Sequence, residues 1–158
     1  MRILKFFFFL AILVVVLGAI GFWYLFVRTE PLLDATLDAP KQVAVGEEVR
    51  WVIRCSNPHD EPVTLDSIDV DAELLEGIQV LDIEPLPERR GDIPFTEDES
   101  WTFSRTAEPG ETIVVTIRVR GRKEGIYVGS IDATNPNVDW VGLRHAYTVT
   151  RPGAPPTD

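Results

Sequence analysis

From Phe6 to Val27 the chain carries no charged residue, an apolar run of 22 positions. At about 1.5 Å per residue this predicts a helix of roughly 33 Å, enough to cross a hydrocarbon core of about 30 Å. After residue 38 the period of the pattern changes. Val49, Trp51, Ile53 and Cys55 alternate with Arg50, Arg54 and Ser56, as in a half-buried strand. Asn57-Pro58-His59-Asp60-Glu61-Pro62 then turns the chain. Val63 and Leu65 keep one phase while Ile68 and Val70 keep the other, which predicts a bulge near Asp66-Ser67. Leu74 to Gly77 reads as one helical turn, followed by a strand from Ile78 to Ile83. Pro85, Pro87, Gly91 and Pro94 mark residues 85–98 as the longest loop. Further strands are predicted at Trp101 and Phe103, from Ile113 to Val119, and from Gly125 to Ala133. In a last strand Val141, Leu143, His145, Tyr147 and Val149 share one face. Turn signals at Gly46-Glu47, Glu108-Pro109-Gly110-Glu111 and Asn135-Pro136-Asn137 separate these strands at the spacing of a β-sandwich.

The expected organisation follows. Residues 1–28 form a transmembrane anchor, 29–37 a tether containing Pro31, 38–150 an all-β sandwich, and 151–158 a disordered Pro-rich tail. Thr29 to Asp38 reaches at most about 35 Å when extended, so the domain works close to its own membrane surface. A cleaved signal peptide is the rival for the N-terminus. Cleavage after Ala19-Ile20-Gly21, however, would leave a mature chain starting Phe22-Trp23-Tyr24, an unfavourably apolar end. No Cys lies near the run, which excludes a lipoprotein lipid attachment there.

Charge sharpens this picture. Of 15 Lys and Arg, three (Arg2, Lys5, Arg28) precede Thr29, and all 25 Asp and Glu follow it. Residues 29–158 thus carry 12 positive against 25 negative charges, a net of −13, which repels nucleic acid and anionic headgroups. Arg2 and Lys5 against Arg28 alone favour a cytoplasmic N-terminus and a periplasmic or extracellular C-terminal domain. Trp23 and Tyr24 then serve as interfacial anchors at the outer surface.

Gly46-Glu47-Glu48-Val49-Arg50-Trp51-Val52-Ile53, followed by Ser56-Asn57, resembles the opening of the Ig-like repeats of bacterial surface proteins. Pro109-Gly110-Glu111-Thr112 and then Gly125-Ile126-Tyr127 are similar to their second half. The resemblance covers residues 38–134 and implies an Ig-like β-sandwich, a fold that carries no chemistry of its own. Cys55 would suit the first half of an antibody-type inter-sheet disulfide, but it is the only cysteine, so that bond has no partner.

Candidate sites are few. Ala11, Gly18 and Gly21 stack on one face of the predicted helix and suit close packing against another helix. Asp69, Asp71 and Glu73 would share one face of a strand, a weak calcium candidate against the simpler reading of a solvated face. His59 and His145 are the only imidazoles and Met1 the only methionine, too few for a copper site or a His-Cys zinc site. On an apolar strand face, His145 reads as a hydrogen-bonded core residue. Arg90-Gly91-Asp92 spells a cell-adhesion tripeptide that recurs by chance. No nucleophile elbow, phosphate loop or triad can be assembled, and no cofactor is expected. The expectation is a non-catalytic accessory subunit in the bilayer, docking on other membrane-protein subunits. The alternative is a stand-alone anchored module that binds a ligand, a surface polymer or a metal.

Overall fold

The computed structural model describes residues 12–18 and 32–153. The chain divides between Glu30 and Pro31 into two units. In the first, residues 12–18 are helical. The rest of the expected transmembrane helix, with Ala11, Gly21, Trp23 and Tyr24, lies outside the described residues, as do residues 154–158 of the tail. Among the described residues no helix is long and apolar enough to cross a membrane.

The second unit is a two-sheet β-sandwich. Its strands are β1 (Asp34–Asp38), β2 (Gln42–Ala44), β3 (Glu48–Ser56), β4 (Val63–Val70), β5 (Ile78–Glu84), β6 (Arg89–Asp92), β7 (Glu99–Ala107), β8 (Thr112–Gly121), β9 (Gly125–Thr134) and β10 (Trp140–Thr150). One sheet runs β1-β3-β8-β5 and the other β2-β10-β9-β4-β7-β6. In space these are the A-B-E-D sheet and the G-F-C-C′-C″ sheet of a variable-type immunoglobulin sandwich, with β2 as an extra edge strand beside β10. The route between them differs. After β4 the chain crosses to β5 in the first sheet and only then returns to lay down the β6–β7 hairpin beside β4.

Period-2 alternation drives this arrangement. Trp51, Ile53 and Cys55 on β3 and Ile113, Val115, Ile117 and Val119 on β8 are buried, facing Ile68, Val70, Trp101 and Ile131 of the other sheet. Each fully buried side chain of this size contributes about 1.5–3 kcal/mol. The expected phase change on β4 is present: Leu65 and Ile68 are both buried. The ladder slips between Leu65↔Arg105 and Ser67↔Thr102, so β7 carries the extra residue, at Ser104 with φ 46°.

Three expectations are corrected. Residues 34–37, assigned to the tether, form β1 together with Asp38 and pair with β3, because Ala35 and Leu37 turn inward while Asp34, Thr36 and Asp38 stay exposed. The long loop at 85–98 contains β6, whose register Arg89↔Thr102 to Asp92↔Glu99 makes it an edge strand. Arg90-Gly91-Asp92 is therefore strand, with the Arg90 guanidinium 2.9 Å from Glu99. The acidic triplet is not one strand face either. Asp69 is in β4, Asp71 precedes the short helix Ala72–Glu76, and Glu73 is exposed on that helix.

That helix closes one end of the sandwich. Leu74 is fully buried, and its carbonyl accepts a hydrogen bond from the Tyr147 hydroxyl. Tyr127, at the start of β9, donates to Lys123 O at 3.0 Å, the tyrosine corner of immunoglobulin-like sandwiches. Tyr127 and Tyr147 stack with ring centroids 5.4 Å apart.

Candidate interaction surface

Three turns lie at the end of the sandwich where Leu33 brings the chain in: 57–62, 108–111 and 135–139. Two of them are built on a buried Asn followed by an exposed Pro. Asn57 Nδ2 donates to Glu61 O (2.8 Å) and Ala107 O (2.9 Å), while its Oδ1 accepts from the His59 N–H. His59 Nε2 lies 2.9 Å from Leu32 O, which ties the turn to the incoming chain. Asn135 accepts at Oδ1 from the N–H groups of Asn137 (3.0 Å) and Asp139 (3.1 Å). Its buried Nδ2 has no partner among the described residues.

The Asn135 turn holds Val138 at φ 67°, a conformation that a β-branched residue adopts only at a cost of about 1–3 kcal/mol. Val138 is 73% exposed and Trp140, two residues on, is 58% exposed. Burial would favour turning these side chains inward, yet the hydrogen-bonded turn presents them to solvent. The three turns together carry Asp60, Glu61, Glu108, Glu111 and Asp139 and no Lys or Arg. Sequence reasoning marked the Asn-Pro signals as turns but not the apolar tip, because exposure of Val138 depends on its φ.

On the outer face of the larger sheet, Asp69 pairs with Asp132 in register. Asp71 Oδ2 accepts from Ser130 N at 2.6 Å, and Ser130 Oγ donates to Asp132 Oδ1. Burial, with the charges of Asp71, Asp69 and Asp98, pushes the Asp132 carboxyl upward, while the Ser130 hydrogen bond opposes this. Among the described residues no three His, Cys, Asp or Glu side chains are placed to hold a metal. Asp69, Asp71 and Glu73 thus do not converge.

Cys55 is buried, and desolvation pushes its thiol up to about 11. His145 is half-buried with its ring 5.4 Å from Trp51, edge to face. Burial holds it below the usual imidazole range and the Lys41 charge adds to this, against a hydrogen bond to the Pro40 backbone. Trp51 Nε1 and His145 Nε2 are both buried without a partner among the described residues. His145 therefore sits at the core margin with only part of its hydrogen bonding met. Gly18, on the short described helix, has open space at its Cβ position. A solvent-open cleft of about 350 Å³ lies between Arg105-Thr106 and residues 111–114, lined mainly by polar groups.

No family model matches the chain, and no curated protein matches it. Solved structures similar to it include a cohesin module from a Clostridium perfringens family 33 glycoside hydrolase (8% identity, TM-score 0.46, 77% of this chain and 99% of that one). The CARDB domain of a Pyrococcus furiosus protein, solved with di-metal ions, is similar at 19% identity and TM-score 0.46, over 78% of this chain and 99% of that one. A non-cellulosomal cohesin from Archaeoglobus fulgidus is similar at 10% identity and TM-score 0.45, over 76% and 94%. These are likenesses of general layout. The β-sandwich assignment rests on the strand order itself.

Proposed function

We propose that this chain is a non-catalytic accessory subunit, anchored through residues 6–27, whose sandwich docks on a larger membrane-protein assembly outside the cytoplasm. One observation carries the reading: the end where the chain enters the sandwich bears a hydrogen-bonded apolar tip, Val138 and Trp140, and its turns carry carboxylates without a Lys or Arg. Exposed apolar groups held in place at an energetic cost suit a partner surface, with Trp as the anchor type that most often dominates binding energy. The acidic turns at this end disfavour anionic lipid as the target and suit a neutral or basic protein surface. With β1 starting at Asp34, only a handful of residues separate this end from the apolar run, so a membrane-embedded partner is within reach.

The test is copurification from gentle detergent at matched expression. Val138→Ser with Trp140→Ala should release the partners, and so should Gly18→Leu with Gly21→Leu if the helix packs against theirs. Ile12→Leu and Val16→Leu are controls. Leu is at least as favourable in hydrocarbon as Gly, so insertion is not the variable. Equal recovery for every variant would leave the stand-alone binding module as the better reading.

A further inference from the structure

Among the described residues the sandwich is not closed along one edge. β10 runs 11 residues, from Trp140 to Thr150, but its outer neighbour β2 covers only Thr148 to Thr150. Thr148 N–H donates to Lys41 O, and Thr150 O accepts from Val45 N–H, so even-numbered residues of β10 direct their backbone groups to that edge. The β9 ladder continues without a slip to Trp140, which keeps this phase at Gly142 and Arg144. Their outward N–H and C=O groups have no ladder partner among the described residues.

The other edges are blunted. β1 carries Asp34 and Asp38, β6 is four residues with three charges, and β5 has a register slip and carries Asp82 and Glu84. The open stretch of β10 from Trp140 to Ala146 has one charge, Arg144. Below it the inward side chains are only half-buried: Ala35 and Leu37 on β1, and Val141, Leu143 and His145 on β10. Trp51, Ile53 and Cys55, one strand further in, are fully buried. A seam of unpaired backbone over half-covered apolar side chains is what an added strand completes.

We propose that the β10 edge from Trp140 to Ala146 takes up an extended segment of a partner protein, with a Lys or Arg of that segment facing Gly142. This deepens the docking reading and rests on it. Gly142 supplies the specificity. A Cβ there would lie 3.1 Å from Asp132 Oδ1, so the missing side chain leaves that carboxylate reachable from the edge. Asp132 lies beside Asp69 on the same face, and a cation would offset the burial and the like charges of Asp71, Asp69 and Asp98 that raise its carboxyl. Residues of the segment on either side of the cation point inward to Val141 and Leu143 and so are apolar. A second copy of this chain is disfavoured: its residues 29–158 bring another net charge of −13, and its own β9–β10 turn would meet β2.

The experiment uses the full chain in detergent micelles and follows single amides by NMR hydrogen exchange. The probe is a capped heptapeptide alternating lysine and valine, compared with the same peptide carrying glutamate for lysine. Without peptide, the Gly142 and Arg144 amides should exchange much faster than those of Val141 and Leu143. The lysine peptide should slow them by about tenfold or more, and the glutamate peptide should not. Asp132→Asn should abolish that discrimination. Arg144→Pro, which removes an outward N–H and leaves the β9 ladder intact, should abolish binding, while Arg144→Ala retains it. Equal binding of both peptides, or of neither, overturns the proposal. Slow Gly142 and Arg144 amides in the peptide-free chain also overturn it: if independent of dilution, the chain's own tail covers the edge, and if concentration-dependent, a second copy does. Loss of partners in the Val138 and Trp140 variants alongside an inert edge would sink this proposal and leave the docking reading standing.

Discussion

Gly77→Ala should be one of the most damaging single-methyl changes in the sandwich, for a reason unrelated to backbone freedom. Gly77 has φ −80° and ψ −16°, a conformation open to any residue. Space is what it lacks. A Cβ at this position would lie 2.7 Å from the Tyr147 hydroxyl and still closer to Cε2 and Cδ2 of Tyr127. Both rings are buried, stacked on each other, and held by hydrogen bonds to Lys123 O and Leu74 O. Neither can withdraw as a flexible side chain would. Overpacking of this kind costs about 1–3 kcal/mol, and distorting two hydrogen bonds costs about 1 kcal/mol each. A loss of about 3–5 kcal/mol lowers the Tm of a domain this size by roughly 12–20 °C. The assay is thermal and urea unfolding of the full chain in micelles, followed by Trp fluorescence. Gly91→Ala is the control: nothing lies within 4 Å of its Cβ position, so the change should stay within about 0.5 kcal/mol. A Gly77→Ala protein melting within about 2 °C of the parent would refute the packing of Tyr127 and Tyr147 against the end of the helix.

Alkylating reagents should label Cys55 only after denaturation, because burial raises its thiol to about 11 and removes access; rapid labelling of the native chain would contradict the core placement. His145 is held below its unfolded value of 6.5, so its contribution to stability is complete above about pH 6.5 and is lost as pH falls toward the folded value. The difference in Tm between the parent and His145→Gln should shrink over that window, and parallel curves would show that the imidazole does not titrate there. Asp132 is shifted the other way, so its ionisation costs folding stability as pH rises above 3.8. Asp132→Asn should therefore raise the Tm at pH 7, with the gain fading toward pH 4; a lower Tm at pH 7 would mean that the carboxylate is a net stabiliser.

Period-2 patterning placed most strands, the core face of β3 and the phase change on β4, because burial on one sheet face imposes alternation whatever the partner. Asn57-Pro58 and Asn135-Pro136 were legible as turns for the same local reason: side-chain hydrogen bonding and a fixed proline φ are set within a few residues. The apolar run and its flanking charges were likewise plain, since they depend on composition alone. Other features depended on partners distant in sequence. Asp34–Asp38 has too few apolar residues to declare itself and becomes β1 only because β3 offers a ladder. Arg89–Asp92 is charged and lies within a Pro-rich stretch, so β6 exists because β7 lies beside it. Asp69, Asp71 and Glu73 alternate in sequence, yet a helix begins between them because Leu74 fills the end of the core. The exposed Val138 and Trp140 tip depends on a positive φ set by the buried Asn135. The open edge beside Gly142 depends on how short β2 is and where it pairs, and alternation along β10 itself carries no signal of either.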